Sequence, residues 1–500
     1  MAMSVTSADV LIARNPSTGL ELGRVAVTPP EAVAEVVARA REAQRSWREA
    51  DWSRRRAFLR RWWGVLARGA DGWADAIRDE VGKPRGEAMA GDVVAGLDAI
   101  RWTVRHGGRA LADRRLGPGW QRLLLVRSAR LRYRPFGVVG MLGTWNYPLL
   151  LNAPAIAQAV AAGNAVVWKP SELAPLAGLR LQRSLEEAEA PPGLVSAVFG
   201  GPEVGRALVG SDIDKGMFTG GIDTGRLVVG ELARRGIPSL AELSGFDPAI
   251  VLADAPLEAT IRALTWGAFV GSGQACVAVK RVYVVGDPLP WAEGLAVQAR
   301  NLRVGDPGAA EVDLGPLISE SARDRFHRTI RAAIEAGARV LTGGEPCPGP
   351  GWFYPPTVLA ADGPGPERVL AGAFGPVVLV RGVADPDAAI AAADASPYGL
   401  AASVWGSDLL AARAVADRLD AGMVSVNDAV TPSAHASAPF GGTKASGYGR
   451  TRGVLGLLEF AQPQVFQARA QGGLRPQLFP YSSRLEGMLA VYRRLFHPRA

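Results

Sequence analysis

Cysteine and histidine are scarce in this chain, and their scarcity excludes several classes of protein. Two cysteines and four histidines in 500 residues give no disulfide framework and no HxxxH or CxxC pair at metal-ligand spacing. A bound metal is therefore not expected, and a reducing compartment suits the chain. A long apolar run free of polar residues is also missing. The most apolar stretch, residues 138–168, is interrupted by Asn146, Pro148, Asn152, Pro154, Gln158 and Asn164. It reads as strand, turn, buried helix and strand, because a lipid-facing span tolerates few such groups. Met1 to Arg14 shows no basic start followed by an apolar block, so no signal peptide is expected and the cytoplasm is the expected location. No solenoid-type repeat recurs.

What remains is ordinary globular composition, 48% hydrophobic and 21% charged, in a chain too long for a single core. The net charge of +8 comes almost entirely from arginine. Arg54–Arg56 and Arg60–Arg61 share a helical pattern with Phe58, Leu59 and Trp62, which predicts a solvated helix face and no nucleic-acid partner.

Periodicity gives an alternating α/β chain. Helices are predicted from Pro29 to about Trp47, over 58–66, 73–81 and 87–106, followed by two extended segments between Leu123 and Tyr133. From Pro135 the pattern is strand 138–142, helix 149–162, strand 165–168, then helix, short strand 196–199, helix, strand 216–219 and helix 224–235. Such alternation predicts an open, mostly parallel sheet of nucleotide-binding type. A second α/β unit follows, with strand 249–252, helix 257–269 and strand 281–285. Past Gln467 the composition becomes Gly- and Pro-rich. A terminal helix is predicted with Leu485, Met488, Leu489, Tyr492, Leu495 and Phe496 on one face, and Arg484, Arg493 and Arg494 off it. That helix is expected to dock on its own body or a sister subunit, with a membrane surface as the alternative.

The residues that suggest chemistry are a thiol and a carboxylate. Cys276 ends the segment Gly271-Ser-Gly-Gln-Ala-Cys276, and Glu242 sits in Ala241-Glu-Leu-Ser-Gly245, read as a second flexible turn. A thiol and an acid placed this way suit covalent catalysis followed by base-assisted hydrolysis. Cys347, in a Pro/Gly-rich loop with only Glu345 nearby, is read as incidental.

Eight motifs then fall in one order: Asn15-Pro-Ser-Thr-Gly19, Thr144-Trp-Asn-Tyr-Pro148, Lys169-Pro-Ser-Glu172, Phe218-Thr-Gly-Gly221, Glu242-Leu243, Gly273-Gln-Ala-Cys276, Phe374-Gly-Pro376 and the loop 439–450, PFGGTKASGYGR. In this order they resemble the aldehyde dehydrogenase superfamily from about Asn15 to Phe460. The resemblance implies a Rossmann-type cofactor domain, an α/β catalytic domain and a β-arm for oligomerisation. It divides the chain into 1–116 with 136–243 for NAD, 244–452 for catalysis, 117–135 with 453–470 for oligomerisation, and the basic amphipathic tail 471–500.

The same resemblance makes Cys276 the nucleophile that forms a thiohemiacetal and then a thioester. Asn146 and the Cys276 N–H become the oxyanion donors, and Glu242 the base that hydrolyses the thioester. It implies that Trp145, Lys169, Glu172, Thr219, Gly220, Gly221, Gly225, Leu243 and Phe374 hold the cofactor. NAD is favoured over NADP, because the Glu172 carboxylate repels a 2′-phosphate. Glu242 favours release of a free acid over transfer to coenzyme A, and the coenzyme A-acylating and non-catalytic members are the alternatives. The expected partners are a small-molecule aldehyde, apolar from Tyr147, Leu150 and Leu151, and further copies of the chain in a homodimer or homotetramer. Three positions depart from the pattern. Gly221 stands where serine is common, Gly372 where an acid holds the nicotinamide ribose, and Phe246 where a lysine follows the base.

Overall fold

The computed structural model describes residues 10–117, 129–468, 478–481 and 483–496. Two sheets carry the architecture. The first has six strands in the order Gly447–Tyr448, Ser239–Leu243, Lys215–Gly220, Val138–Leu142, Ala165–Lys169, Val195–Ala197, and the last five are mutually parallel. The strands read as short apolar runs because helices cover the sheet. The second has seven strands, ordered Arg339–Thr342, Thr357–Ala360, Val377–Val383, Val279–Val285, Asp247–Val251, Ala401–Trp405 and Met423–Val426. It is parallel except where Arg339–Thr342 pairs antiparallel at one edge. These are the two α/β units that the periodicity predicts.

Strand 138–142 and helix 257–269 have the predicted bounds. The helix predicted over 149–162 begins later, at Ala153, because Tyr147 to Asn152 form turns. Every residue of Ala153–Ala161 is buried; its many alanines let the chain pass between sheet and neighbouring helices without voids. A hairpin of Val10–Arg14 with Glu21–Ala26 was not expected.

One segment joins the two units directly. Gly447–Tyr448, from the Gly-rich loop, adds an antiparallel strand to the edge of the first sheet with Gly447 opposite Glu242. Glu242 therefore lies on strand Ser239–Leu243 and not on the flexible turn that its Ser-Gly flank suggests. A one-residue slip there would turn its side chain to the opposite face, so the pairing sets its direction.

Ala129–Pro135 lies between Arg114–Leu116 and Ala461–Phe466 in a separate antiparallel sheet. The first half of the predicted arm, 123–128, falls outside the described residues, as do 471–477, 482 and 497–500 of the tail. Ser483–Phe496 is helical as predicted, and none of its residues is buried. Among the described residues no helix is long and apolar enough to cross a membrane, and no cluster of potential metal ligands occurs.

Candidate active site

In the first sheet the chain runs outward from Val138–Leu142 through two strands, then returns to place Lys215–Gly220 on the other side of it. Loops at the carboxyl ends of these two strands diverge and leave a crevice, the place where open α/β sheets take ligands. Thr144, Trp145 and Asn146 enter it from one strand, and Gly220 and Gly221 from the other.

Cys276 reaches the crevice from the second unit. After helix Leu257–Phe269, the residues Gly271, Ser272 and Gly273 all adopt left-handed φ, at 63°, 54° and 68°. Glycine takes that conformation freely and serine does not, so the turn needs anchors. Ser272 Oγ donates to Gly315 O at 2.8 Å. Gln274 Oε1 accepts from Ile318 N at 3.0 Å. Lys280 Nζ donates to Gly273 O at 2.8 Å and to Gly375 O at 2.6 Å, which ties the turn before Cys276 to the Phe374-Gly-Pro376 motif. Close approach also explains Gly245, where a Cβ would lie 2.3 Å from Cys276 O.

Burial pushes the Cys276 thiol up to about 12, helped by the charges of Asp247 and Glu242 and opposed by Arg452. The resting thiol is therefore protonated, and a base must receive its proton. Glu242 is only 3% exposed, and burial raises its carboxyl to about 7 against a hydrogen bond from Thr451 and the charges of Arg452 and Arg450. An acid poised near neutrality can both take and return a proton. Thr451 Oγ1 donates to its Oε1, while Oε2 has no partner among the described residues. Asn146 is fixed at both ends of its amide, accepting from Thr144 Oγ1 at 2.9 Å and donating to Gln274 O at 2.9 Å. One amide hydrogen remains for another acceptor.

Two cavities meet at Cys276, sharing Leu151 and Phe440 as well. The smaller, about 380 Å³, holds Trp145, Asn146, Thr219, Gly220, Gly221, Glu242, Leu243 and Phe374. The larger, about 790 Å³, has mostly apolar walls that include Tyr147, Leu150, Trp266 and Phe269. A site with separate chambers either side of one thiol suits two reactants that meet at sulfur.

A family model, the aldehyde dehydrogenase family, matches residues 4–466. The chain belongs to the aldehyde dehydrogenase family. It is 34% identical over 478 residues to a 4,4′-diapolycopene aldehyde oxidase of Methylomonas, covering 95% of this chain and 88% of that protein. To a benzaldehyde dehydrogenase [NAD(+)] of Pseudomonas putida it is 36% identical over 457 residues, covering 90% and 91%. Among solved structures, an aldehyde dehydrogenase of Mycobacterium tuberculosis complexed with NAD+ superposes with a TM-score of 0.89 at 29% identity, covering 94% and 97%. As an aldehyde dehydrogenase the chain is an oxidoreductase that converts an aldehyde to the carboxylic acid with NAD or NADP.

The smaller cavity has the features a dinucleotide needs. Gly221 caps helix Ile222–Arg234 with no side-chain hydrogen bond, and a Cβ there would meet nothing within 4 Å. Free backbone N–H groups at a helix start, with open space before them, suit a pyrophosphate. Trp145 and Phe374 meet edge to face at 5.8 Å and form an apolar wall. Lys169 and Glu172 lie outside this cavity's lining and pair at 2.8 Å. Gly225 does not line it either. Its N–H bonds Gly221 O at 2.9 Å, and a Cβ would lie 2.4 Å from Leu243, so it lets helix and strand approach. Gly372 lines the cavity with φ 83°. Phe246 is buried with the Arg281 guanidinium 4.8 Å from its ring centroid.

Sequence reasoning missed Thr451 and Arg452. Both are buried beside Glu242, yet Arg-Thr-Arg after a glycine loop reads as surface. The one available signal was an apolar helix, Gly453–Leu458, starting directly after them.

Proposed function

We propose that catalysis runs through Cys276, with Glu242 as general base and Asn146 as oxyanion donor. The observation that carries this reading is that Cys276 borders both cavities while the unpartnered Oε2 of Glu242 belongs to a residue lining one of them. The thiol proton leaves to solvent water, and sulfur attacks the aldehyde carbon to give a thiohemiacetal. The alkoxide accepts hydrogen bonds from Asn146 Nδ2 and the Cys276 N–H, a contribution of roughly 3 kcal/mol per donor. Bound in the smaller cavity against Trp145 and Phe374, NAD or NADP supplies a nicotinamide carbon that accepts hydride. Glu242 then deprotonates a water that attacks the Cys276 thioester, and the acid departs with the thiol restored.

Thr219, Gly220, Gly221 and Leu243 cradle the dinucleotide, and Lys169 with Glu172 binds the adenosine ribose, which favours NAD. The larger cavity takes an apolar aldehyde against Tyr147, Leu150, Leu151 and Trp266. Residues 1–116 with 136–243 form the cofactor domain and 244–452 the catalytic domain. Residues 117–135 and 453–470 make the oligomer contact, supported by the separate sheet around Ala129–Pro135, whose two outer strands pair with no further strand among the described residues, and the assembly is a dimer or tetramer. The exposed Leu495 and Phe496, beside Arg493 and Arg494, suit peripheral contact with an acidic membrane from the cytoplasm.

Aldehyde oxidation followed by NADH absorbance tests the residue roles. Cys276→Ala should abolish turnover and retain NAD binding. Glu242→Gln should release one equivalent of NADH and then stall. Steady turnover by Cys276→Ala overturns the reading, as does acyl-coenzyme A in place of acid when coenzyme A is added.

A further inference from the structure

Arg452 is a buried cation to which the covalent mechanism gives no task. It is 3% exposed, lines the larger cavity with Cys276 and Phe440, and its Nη1 is buried without a hydrogen-bond partner among the described residues. The guanidinium lies 4.6 Å from the Phe440 ring centroid. A ring face attracts a cation but does not replace its lost hydrogen bonds. The backbone is also held in an unfavourable state, with φ 62°. Gln158, on helix Ala153–Ala161, grips it there. Its Oε1 accepts from Arg452 N at 3.1 Å and its Nε2 donates to Gly453 O at 3.2 Å. Strain kept in place by a buried clamp is a mark of functional positions.

Other charged groups around the thiol already have local partners. Lys83, whose charge also reaches Cys276, lies 3.7 Å from Asp92 and over the Tyr147 ring at 3.2 Å, with Glu87 close by. Lys280, beside Asp247, donates to the Gly273 and Gly375 carbonyls. Arg450 donates to the carbonyls of Gly442 and Gly449. Arg452 alone of these cations has a side chain with no hydrogen bond or ion pair among the described residues. The groups whose negative charge it meets are Glu242 and Cys276. Asp247 and Glu242 both oppose a thiolate at Cys276, and Arg452 opposes them.

We propose that Arg452 is a positioning residue whose charge compensates the Cys276 thiolate and the Glu242 carboxylate, allowing both anions to exist in one buried cleft. The inference rests on the covalent reading above. Thr451 and Arg452 then act as a unit, one orienting the acid and the other balancing charge, from a single clamped segment.

The test is the pH profile of iodoacetamide alkylation at Cys276 in the apoenzyme, read by peptide mass spectrometry with Cys347 as internal reference. Arg452→Met and Arg452→Gln remove the charge, and Arg452→Lys keeps it. Both neutral variants should move the Cys276 midpoint to higher pH by about one unit, roughly a tenfold slowing of labelling at neutral pH. Arg452→Lys should recover most of that loss. Neutral variants that bind NAD and overlay the wild-type profile overturn the proposal. So does an Arg452→Lys midpoint displaced as far as that of Arg452→Met, since shape and not charge would then matter. Wild-type Cys276 left unacylated after incubation with aldehyde and NAD is a separate failure, that of the covalent reading itself.

Discussion

Thr451 donates its hydroxyl to one oxygen of Glu242 and leaves the other without a hydrogen-bond partner among the described residues. The two are 209 positions apart, and Thr451 is held by reciprocal backbone bonds with Phe440 at 2.7 and 2.8 Å. The carboxyl group is thus aimed by a segment from the other α/β unit, as the base proposed above requires. Thr451→Val removes a hydrogen bond that favours the carboxylate, so the Glu242 carboxyl rises above about 7. The acid limb of the kcat profile should move to higher pH, with activity lost several-fold at neutrality and recovered in alkali. An unmoved limb contradicts this role.

The same burial carries a cost in stability. Glu242 titrates near 4.5 when unfolded and about 7 when folded. The folded chain therefore holds this proton longer, and stability falls as pH rises between those values. Glu242→Gln removes the penalty and should stabilise the protein above neutrality by up to about 3 kcal/mol, with no gain below about pH 4.5. Denaturant unfolding at two pH values measures the difference.

Gly245→Ala places a methyl carbon 2.3 Å from Cys276 O and 2.6 Å from Asp247 Oδ1. Backbone must shift to admit it. A loss of ~1–3 kcal/mol in stability should accompany a larger drop in kcat than in NAD affinity, read by thermal unfolding, steady-state kinetics and cofactor titration.

Lys280→Met leaves the Gly273 and Gly375 carbonyls without their shared donor. Each buried orphan costs about 1–3 kcal/mol, and the nucleophile turn loses its tie to Phe374. Both Tm and kcat should fall, and Lys280→Arg, with a broader head group, should not rescue them.

Much of this was legible in residue order. Strand 138–142 and helix 257–269 were found because strong apolar periodicity ends at clear turn signals. Eight of the twelve expected site residues, all but Cys276, Lys169, Glu172 and Gly225, line only the smaller cavity, and Cys276 borders both. Strand Ser239–Leu243 was hidden because it is short and runs into Ser-Gly, and its edge partner is a two-residue segment far along the chain. Arg452 was hidden for a related reason. Its burial depends on Gln158, 294 residues away, and no local pattern encodes that contact. Gly225 shows the converse, a glycine placed for helix packing within a motif that suggests ligand binding.

Peptide mass spectrometry of Glu242→Gln, quenched after mixing with aldehyde and NAD, tests the covalent route most directly. The account predicts an acyl group, with the aldehyde's mass less two hydrogens, on the peptide containing Cys276. Formation of one equivalent of NADH with Cys276 unmodified, or with the acyl group on another residue, would contradict it.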